Sequence, residues 1–154
     1  MRKISMLLGI FFCFCLPTVW GAPSRQGSTG GILLPSADVL RKEQASLGFF
    51  RQRGDTRVNF ALGIDNHWEI SASEQTGKTA AEVNLKYMLQ PEGILQPGIA
   101  VGVDDIGGQE KRSPYAVVSK GLPFGIRLHT GWGKGQYGGL FLGAEKKLIT
   151  KAKP

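Results

Sequence analysis

Apolar and polar residues alternate along most of the chain after residue 44, a period of two that is typical of β-strands with one apolar face. In the clearest stretch, Val58, Phe60 and Leu62 fall on one face, whereas Arg57 and Asn59 fall on the other. Similar segments occupy residues 45–51, 57–64, 68–73, 79–89, 98–104, 115–120, 126–132 and 138–146. The pattern therefore predicts an all-β protein of about eight strands.

The connections between these segments are short and rich in turn residues, as in Thr76-Gly77-Lys78 and Pro91-Glu92-Gly93. None has the length of the crossover helix that would be needed to join two parallel strands. Each strand is therefore predicted to pair with the next one in the sequence, which gives an antiparallel up-and-down meander.

The first residues have the pattern of a secretory signal peptide. Arg2 and Lys3 precede a mostly apolar run over residues 4–15, and Val19 and Gly21 supply the small residues of a cleavage site. The run is shorter than the roughly 20 apolar residues of a membrane-spanning helix. We interpret residues 1–21 as a cleaved signal for the Sec pathway, with an uncleaved N-terminal anchor as the alternative.

Cleavage after Gly21 removes Cys13 and Cys15, and the sequence contains no other cysteine. The exported chain would then lack disulfides, thiolate metal sites and cysteine nucleophiles. The remaining chain divides into a linker that leads into the first strand (22–44, with a short helical piece over 37–44), a β-barrel domain (45–146) and a basic C-terminal tail (147–154).

Two architectures fit eight alternating strands. A soluble sandwich or lipocalin-like barrel would bury the apolar face, whereas an outer-membrane barrel would turn that face to lipid and its polar face inward. Aromatic residues near the segment ends and a length that suits eight strands of about 10 residues favour the membrane barrel. Its lumen would then hold a polar network of Arg57, Glu69, Glu82, Lys86, Arg127 and His129.

The most polar connection of the chain, residues 104–114, is a candidate ligand-binding loop. The carboxylates of Asp104 and Asp105 could bind a divalent cation or the hydroxyl groups of a sugar, and Lys111 and Arg112 complete the candidate set. This loop carries the alternative interpretation, in which the chain is a soluble periplasmic or secreted β-domain that binds a glycan or a protein partner.

Three residues have the chemistry of a lipid hydrolase, namely Ser119, His129 and Glu145. The alternation, however, assigns Ser119 to the apolar face with Tyr115 and Val117, and His129 to the polar face. We therefore predict that the chain is not an enzyme.

No metal site or cofactor is expected, because His67 and His129 have no second histidine or cysteine at ligand spacing. The net charge of +7 is spread along the chain and is not interleaved with aromatic residues, so nucleic acid is not an expected partner.

Two stretches resemble the YjbH-type outer-membrane family. Residues 27–37, GSTGGILLPSA, are similar to its first segment after the signal peptide, and residues 97–107, 115–120 and 131–133 are similar to its strand, Asp-bearing loop and returning strands. The resemblance implies a non-enzymatic β-barrel in the outer membrane of a Gram-negative cell, with a part in exopolysaccharide secretion or envelope assembly. Its partners would be outer-membrane lipid and either exopolysaccharide or other secretion-system proteins.

Members of that family are usually longer, so the chain is interpreted as a short or truncated member. The interior of an eight-stranded barrel is filled by its own side chains, so a polysaccharide could not pass through it. The expected role is that of a scaffold, a docking barrel or an oligomerising piece. Its oligomeric state stays open at this point.

Overall fold

The computed structural model describes residues 24–146 except 32, 53 and 79. The predicted signal peptide and basic tail lie outside the described residues. The chain forms eight strands: β1 (Ala45–Gln52), β2 (Asp55–Gly63), β3 (Trp68–Gln75), β4 (Glu82–Gln90), β5 (Gly98–Asp104), β6 (Ser113–Gly121), β7 (Ile126–Gly133) and β8 (Gly139–Lys146). Short 3-10 turns precede β7 and β8, at Pro123–Gly125 and Gly135–Tyr137.

The predicted eight-stranded antiparallel meander is confirmed. Each strand pairs with its sequence neighbour, in the order β1 to β8. The sheet curls into a half-barrel, and β1 and β8 form its two edges without pairing with each other. The helical piece predicted over residues 37–44 is wrong, because this stretch has only a bend and a turn. Among the described residues, no helix is long and apolar enough to cross a membrane.

The two faces of the sheet are inverted relative to a water-soluble β-domain. Along β2, Arg57, Asn59 and Ala61 are buried on the concave face, whereas Phe60 on the convex face is 48% exposed. β3 repeats the pattern, with Glu69 buried and Ile70 exposed. The sequence left open whether the polar face lies inside or outside, and in the structure it lies inside.

The concave face is covered by the chain that precedes β1. We call residues 24–44, of which 32 is not described, the inner segment. It contacts β2 through Asn59, whose Nδ2 donates to the Ser24 carbonyl oxygen (2.7 Å), and β6 through Ser119, whose Oγ accepts from the Ala37 amide (2.8 Å). The linker predicted over residues 22–44 is thus, where described, a packed part of the fold.

A small apolar cluster lies where the inner segment meets the strands of the second half of the sheet. Ala37 packs there with buried side chains of β5, β6 and β8, namely Ala100, Tyr115, Val117 and Phe141. Tyr115 and Val117 therefore face the concavity and not the convex apolar face, which corrects the assignment made from the alternation. The reason is local: the inner segment presents apolar groups at this place.

Candidate functional site: the polar interior

The first part of the polar interior joins β2, β3 and β4. The register sets Arg57 opposite Gln75, and Ser73 opposite Glu82, so these four side chains meet on the concave face. The Arg57 guanidinium donates to Glu82 (3.1 Å) and to the side-chain oxygen of Gln75 (2.7 Å). Both members of this ion pair are largely buried. The predicted lumen residues Arg57 and Glu82 are thus direct partners.

The centre of the interior is the pair Lys86 and Glu69, which are register partners on β4 and β3. Lys86 is only 1% exposed, and its ammonium donates to the carbonyl oxygens of Thr29 and Asp38. The Glu69 carboxylate accepts from the amides of Thr29 (2.7 Å) and Leu40 (2.9 Å) and from the Thr29 hydroxyl. Two opposite charges of the sheet therefore bind the backbone of the inner segment.

Arg127 of β7 forms a third group with two acids outside the strands. Its guanidinium binds the Asp38 carboxylate of the inner segment and Glu92 of the β4–β5 connection (2.7 Å). Burial alone would raise the pKa of Asp38, but the hydrogen bond and positive charge of Arg127 outweigh it and lower this pKa below its ordinary value. Asp38 is therefore an ionised anchor of the inner segment.

His129, the last predicted lumen residue, meets the two other residues considered for a hydrolase. Its Nδ1 lies 2.8 Å from the Ser119 Oγ, and its Nε2 lies 3.3 Å from Glu145 Oε1. The prediction that Ser119 and His129 lie on opposite faces is wrong, because the register of β6 and β7 places them side by side and both are buried. Ser119 is also the acceptor of the Ala37 amide, so its hydroxyl joins the inner segment to His129.

The predicted ligand loop is held together from within by Asp105. Asp105, buried and with a positive φ of 53°, accepts from three successive amides, those of Gln109 (2.9 Å), Glu110 (2.7 Å) and Lys111 (2.9 Å). A carboxylate with three amide donors organises its own loop and has little remaining capacity for a ligand.

The other residues of that loop do not converge on one point. Asp104 is buried and binds Tyr137 and Gln136 (3.0 Å to the latter). Burial raises the pKa of Tyr137 well above its ordinary value, and the negative charge of Asp104 adds to the effect. Lys111 and Arg112 are exposed, and the Arg112 guanidinium donates to the Ile106 carbonyl oxygen (2.7 Å). The ligand role of the loop stays a prediction.

Sequence reasoning missed the partners that the inner segment supplies. Asp38 and Thr29 lie 89 and 40 positions away from Arg127 and Glu69, their respective partners, and no local pattern signals such pairings. Asn59, by contrast, could have been included, because the alternation already placed it on the polar face.

The arrangement as a whole holds the inner segment against the sheet. Its charges are paired or bind backbone groups, and within the described ranges no three histidine, cysteine or acidic residues cluster as metal ligands. The polar face and the inner segment thus form one hydrogen-bonded interior.

The comparisons with known proteins bear on this fold as a whole. A family model named YjbH, described as an exopolysaccharide biosynthesis protein, matches residues 23–148, which include every described strand. No curated protein and no solved structure matches the chain.

Proposed function

Since the chain belongs to the YjbH family, we propose that it is a non-enzymatic β-barrel protein of the outer membrane with a structural or accessory role in exopolysaccharide secretion. The exopolysaccharide context comes from the family description. The proposed membrane location and lack of catalysis rest on features of the chain itself.

The observation that carries the proposal is the inversion of the two faces. Large apolar side chains are exposed on the convex face of seven of the eight strands. They include Phe49, Phe60, Ile70, Val83, Val101, Leu128 and Leu142. A soluble monomer rarely exposes a continuous apolar patch beyond about 600 Å². Lipid is the solvent that favours such a surface, as in outer-membrane barrels.

The non-enzymatic part of the proposal follows from accessibility. Ser119, the only nucleophile beside a histidine that the interior offers among the described residues, is 0% exposed and already accepts the Ala37 amide. A serine nucleophile needs an approach path for its substrate as well as a general base. The inner segment occupies that approach.

Membrane fractionation tests the location. We expect the protein to stay in the outer-membrane fraction after a urea wash and to migrate differently in gels before and after boiling, since folded barrels resist detergent. A protein that washes off and shows no heat-dependent shift would overturn the barrel and favour the soluble β-domain.

A charge on the convex face gives a second, independent test. Phe60→Arg, in the middle of β2, should destabilise a lipid-embedded sheet by about 2–4 kcal/mol. Thr56→Arg is the matched control, because it lies near the end of the same strand on the same face, where the cost falls to about 0–1 kcal/mol. Equal behaviour of the two variants in membranes would contradict lipid contact at Phe60.

The role in secretion is tested in a strain that lacks the gene. We expect less extracellular polysaccharide, restored by the wild-type chain and by the control Thr56→Arg, but not by Phe60→Arg. If Phe60→Arg restored the extracellular polysaccharide, the membrane-inserted form of the protein would not be needed for secretion. Lipid hydrolysis by the purified protein that His129→Ala abolishes would contradict the non-enzymatic assignment.

A further inference from the structure

The two edge strands, β1 and β8, have few of the devices that protect a sheet edge in water, and their charges are confined to the last two residues of each strand. Neither strand contains proline or a register shift, and their first six residues carry no charge. Soluble proteins cover or charge such edges because the free amides and carbonyls would pair with another chain. Among the described residues no strand pairs with the outer edge of β8, where Leu140 is 82% exposed and Leu142 is 72% exposed.

Closure of the chain on itself is blocked by what the curl contains. An eight-stranded barrel has room for its own side chains only. This concavity also holds the backbone of the inner segment, bound to β2 through Asn59, to β3 through Glu69, to β6 through Ser119 and to β7 through Arg127. Bringing β1 to β8 would require the space that this backbone fills, so a closed barrel needs more strands.

We propose that a second copy of this chain supplies them, with β8 of each copy pairing with β1 of the other to close one barrel of about 16 strands, an even number within the range of outer-membrane barrels. This inference rests on the proposed membrane location, because free backbone groups at a sheet edge are not tolerated in lipid. The two inner segments would lie in the lumen as plugs.

The direction of the strands favours this pairing over others. In a meander of eight strands, β1 and β8 run in opposite directions. A twofold axis along the barrel therefore sets β8 of one copy antiparallel to β1 of the other, with both copies inserted the same way up. Pairing β8 with β8 would invert one copy relative to the membrane.

The side chains of the two edges also match. Both strands have eight residues, and with their ends flush Phe49 of β1 lies opposite Leu142 of β8. Both side chains belong to the exposed apolar face. The same register sets Gly48 opposite Gly143, on the face that lines the concavity. The apolar belt and the inner lining thus continue across the junction without a change of face.

Disulfide crosslinking in intact cells tests the proposal. The sequence has no cysteine beyond Cys15, so in a background with Cys13→Ala and Cys15→Ala each introduced thiol is unique. Phe49→Cys is combined with Leu140→Cys, Leu142→Cys or Ala144→Cys in turn, a set that covers shifts of register by two residues. We expect at least one double variant to run mostly as a reducible band of about twice the monomer mass, while every single variant stays monomeric.

Three other results would overturn the proposal. Dimers from single variants would mean that like edges pair, and a faster-running oxidised monomer from a double variant would mean that the chain closes on itself. No crosslinking at any of the three positions would mean that the edges do not meet. Fractionation of the same cells reports membrane location separately, so membrane-bound protein without crosslinks contradicts only the dimer, and crosslinked protein in the soluble fraction contradicts only the membrane location.

Discussion

The two halves of the concave face bind the inner segment by different chemistry. On β2–β4, the side chains of Asn59, Glu69 and Lys86 bind its backbone amides and carbonyls. On β5–β8, Val117 and Phe141 belong to an apolar cluster that packs on its side chains. β2–β4, the polar half, thus hold the inner segment mainly through its backbone, whereas β5–β8, the apolar half, add this cluster to the polar contacts of Ser119 and Arg127.

The largest effect should come from the charge at the centre of the polar half. Lys86→Met leaves the Glu69 carboxylate buried without its counter-charge, a loss of about 3–5 kcal/mol in the free energy of unfolding, measured by urea titration in detergent micelles. The double variant with Glu69→Gln should recover part of it, and Lys42→Met, at an exposed site, should stay within about 0.5 kcal/mol. If Lys86→Met had the same free energy of unfolding as the wild type, the stability of the polar half would not depend on this charge.

At the apolar cluster of β5–β8, the comparison predicts a cavity effect. Phe141→Ala removes a buried ring that packs 5.2 Å from the Tyr137 ring between centroids, and should cost about 3 kcal/mol in the same titration. Its neighbour in sequence gives the control, because Leu142→Ala changes an exposed convex side chain. Equal losses of unfolding free energy for Phe141→Ala and Leu142→Ala would contradict the packing of Phe141 in the apolar cluster.

Where a glycine of the sheet approaches the inner segment, an added methyl group should be tolerated less well in the polar half than in the apolar half. A Cβ at Gly63 would collide with the Arg41 carbonyl oxygen, so Gly63→Ala should lose about 1–3 kcal/mol. In the apolar half, a Cβ at Gly98 would lie 3.2 Å from that of Ala37, which a small shift relieves, so Gly98→Ala should lose less. Gly93→Ala, whose nearest neighbour would be 3.9 Å away, is the control. A larger loss of unfolding free energy for Gly98→Ala than for Gly63→Ala would contradict this difference between the halves.

The smallest effect should depend on pH. Because the pKa of Asp38 is lowered from 3.8, its pairing with Arg127 stabilises the fold fully above about pH 3.8 and is lost as the pH falls through the lower, folded-state value. Asp38→Asn should therefore be about 1 kcal/mol less stable at neutral pH, since the pair is partly exposed, and should approach the wild type in acid. A constant difference between the two proteins at all pH values would contradict the ion pair.

Much of the fold could be predicted from the sequence because strand alternation is a local property. The bounds of β5, 98–104, agree with the prediction, and the other strands differ by a few residues at their ends. All six predicted lumen residues lie on the concave face, but only Arg57 and Glu82, and Lys86 and Glu69, face each other across strands. Arg127 and His129 instead take partners from the inner segment, β6 and β8.

The sequence by itself determined the period of two, the number of strands and the meander, because these depend on residues that are neighbours along the chain. Only the tertiary structure decided that the polar face lies inside and that residues 24–44 fill it. It also decided that Ser119 meets His129. These outcomes depend on how far the sheet curls and on contacts between residues tens of positions apart, which no local pattern encodes. The same curl leaves β1 and β8 as the two edges of the described sheet, unpaired with each other.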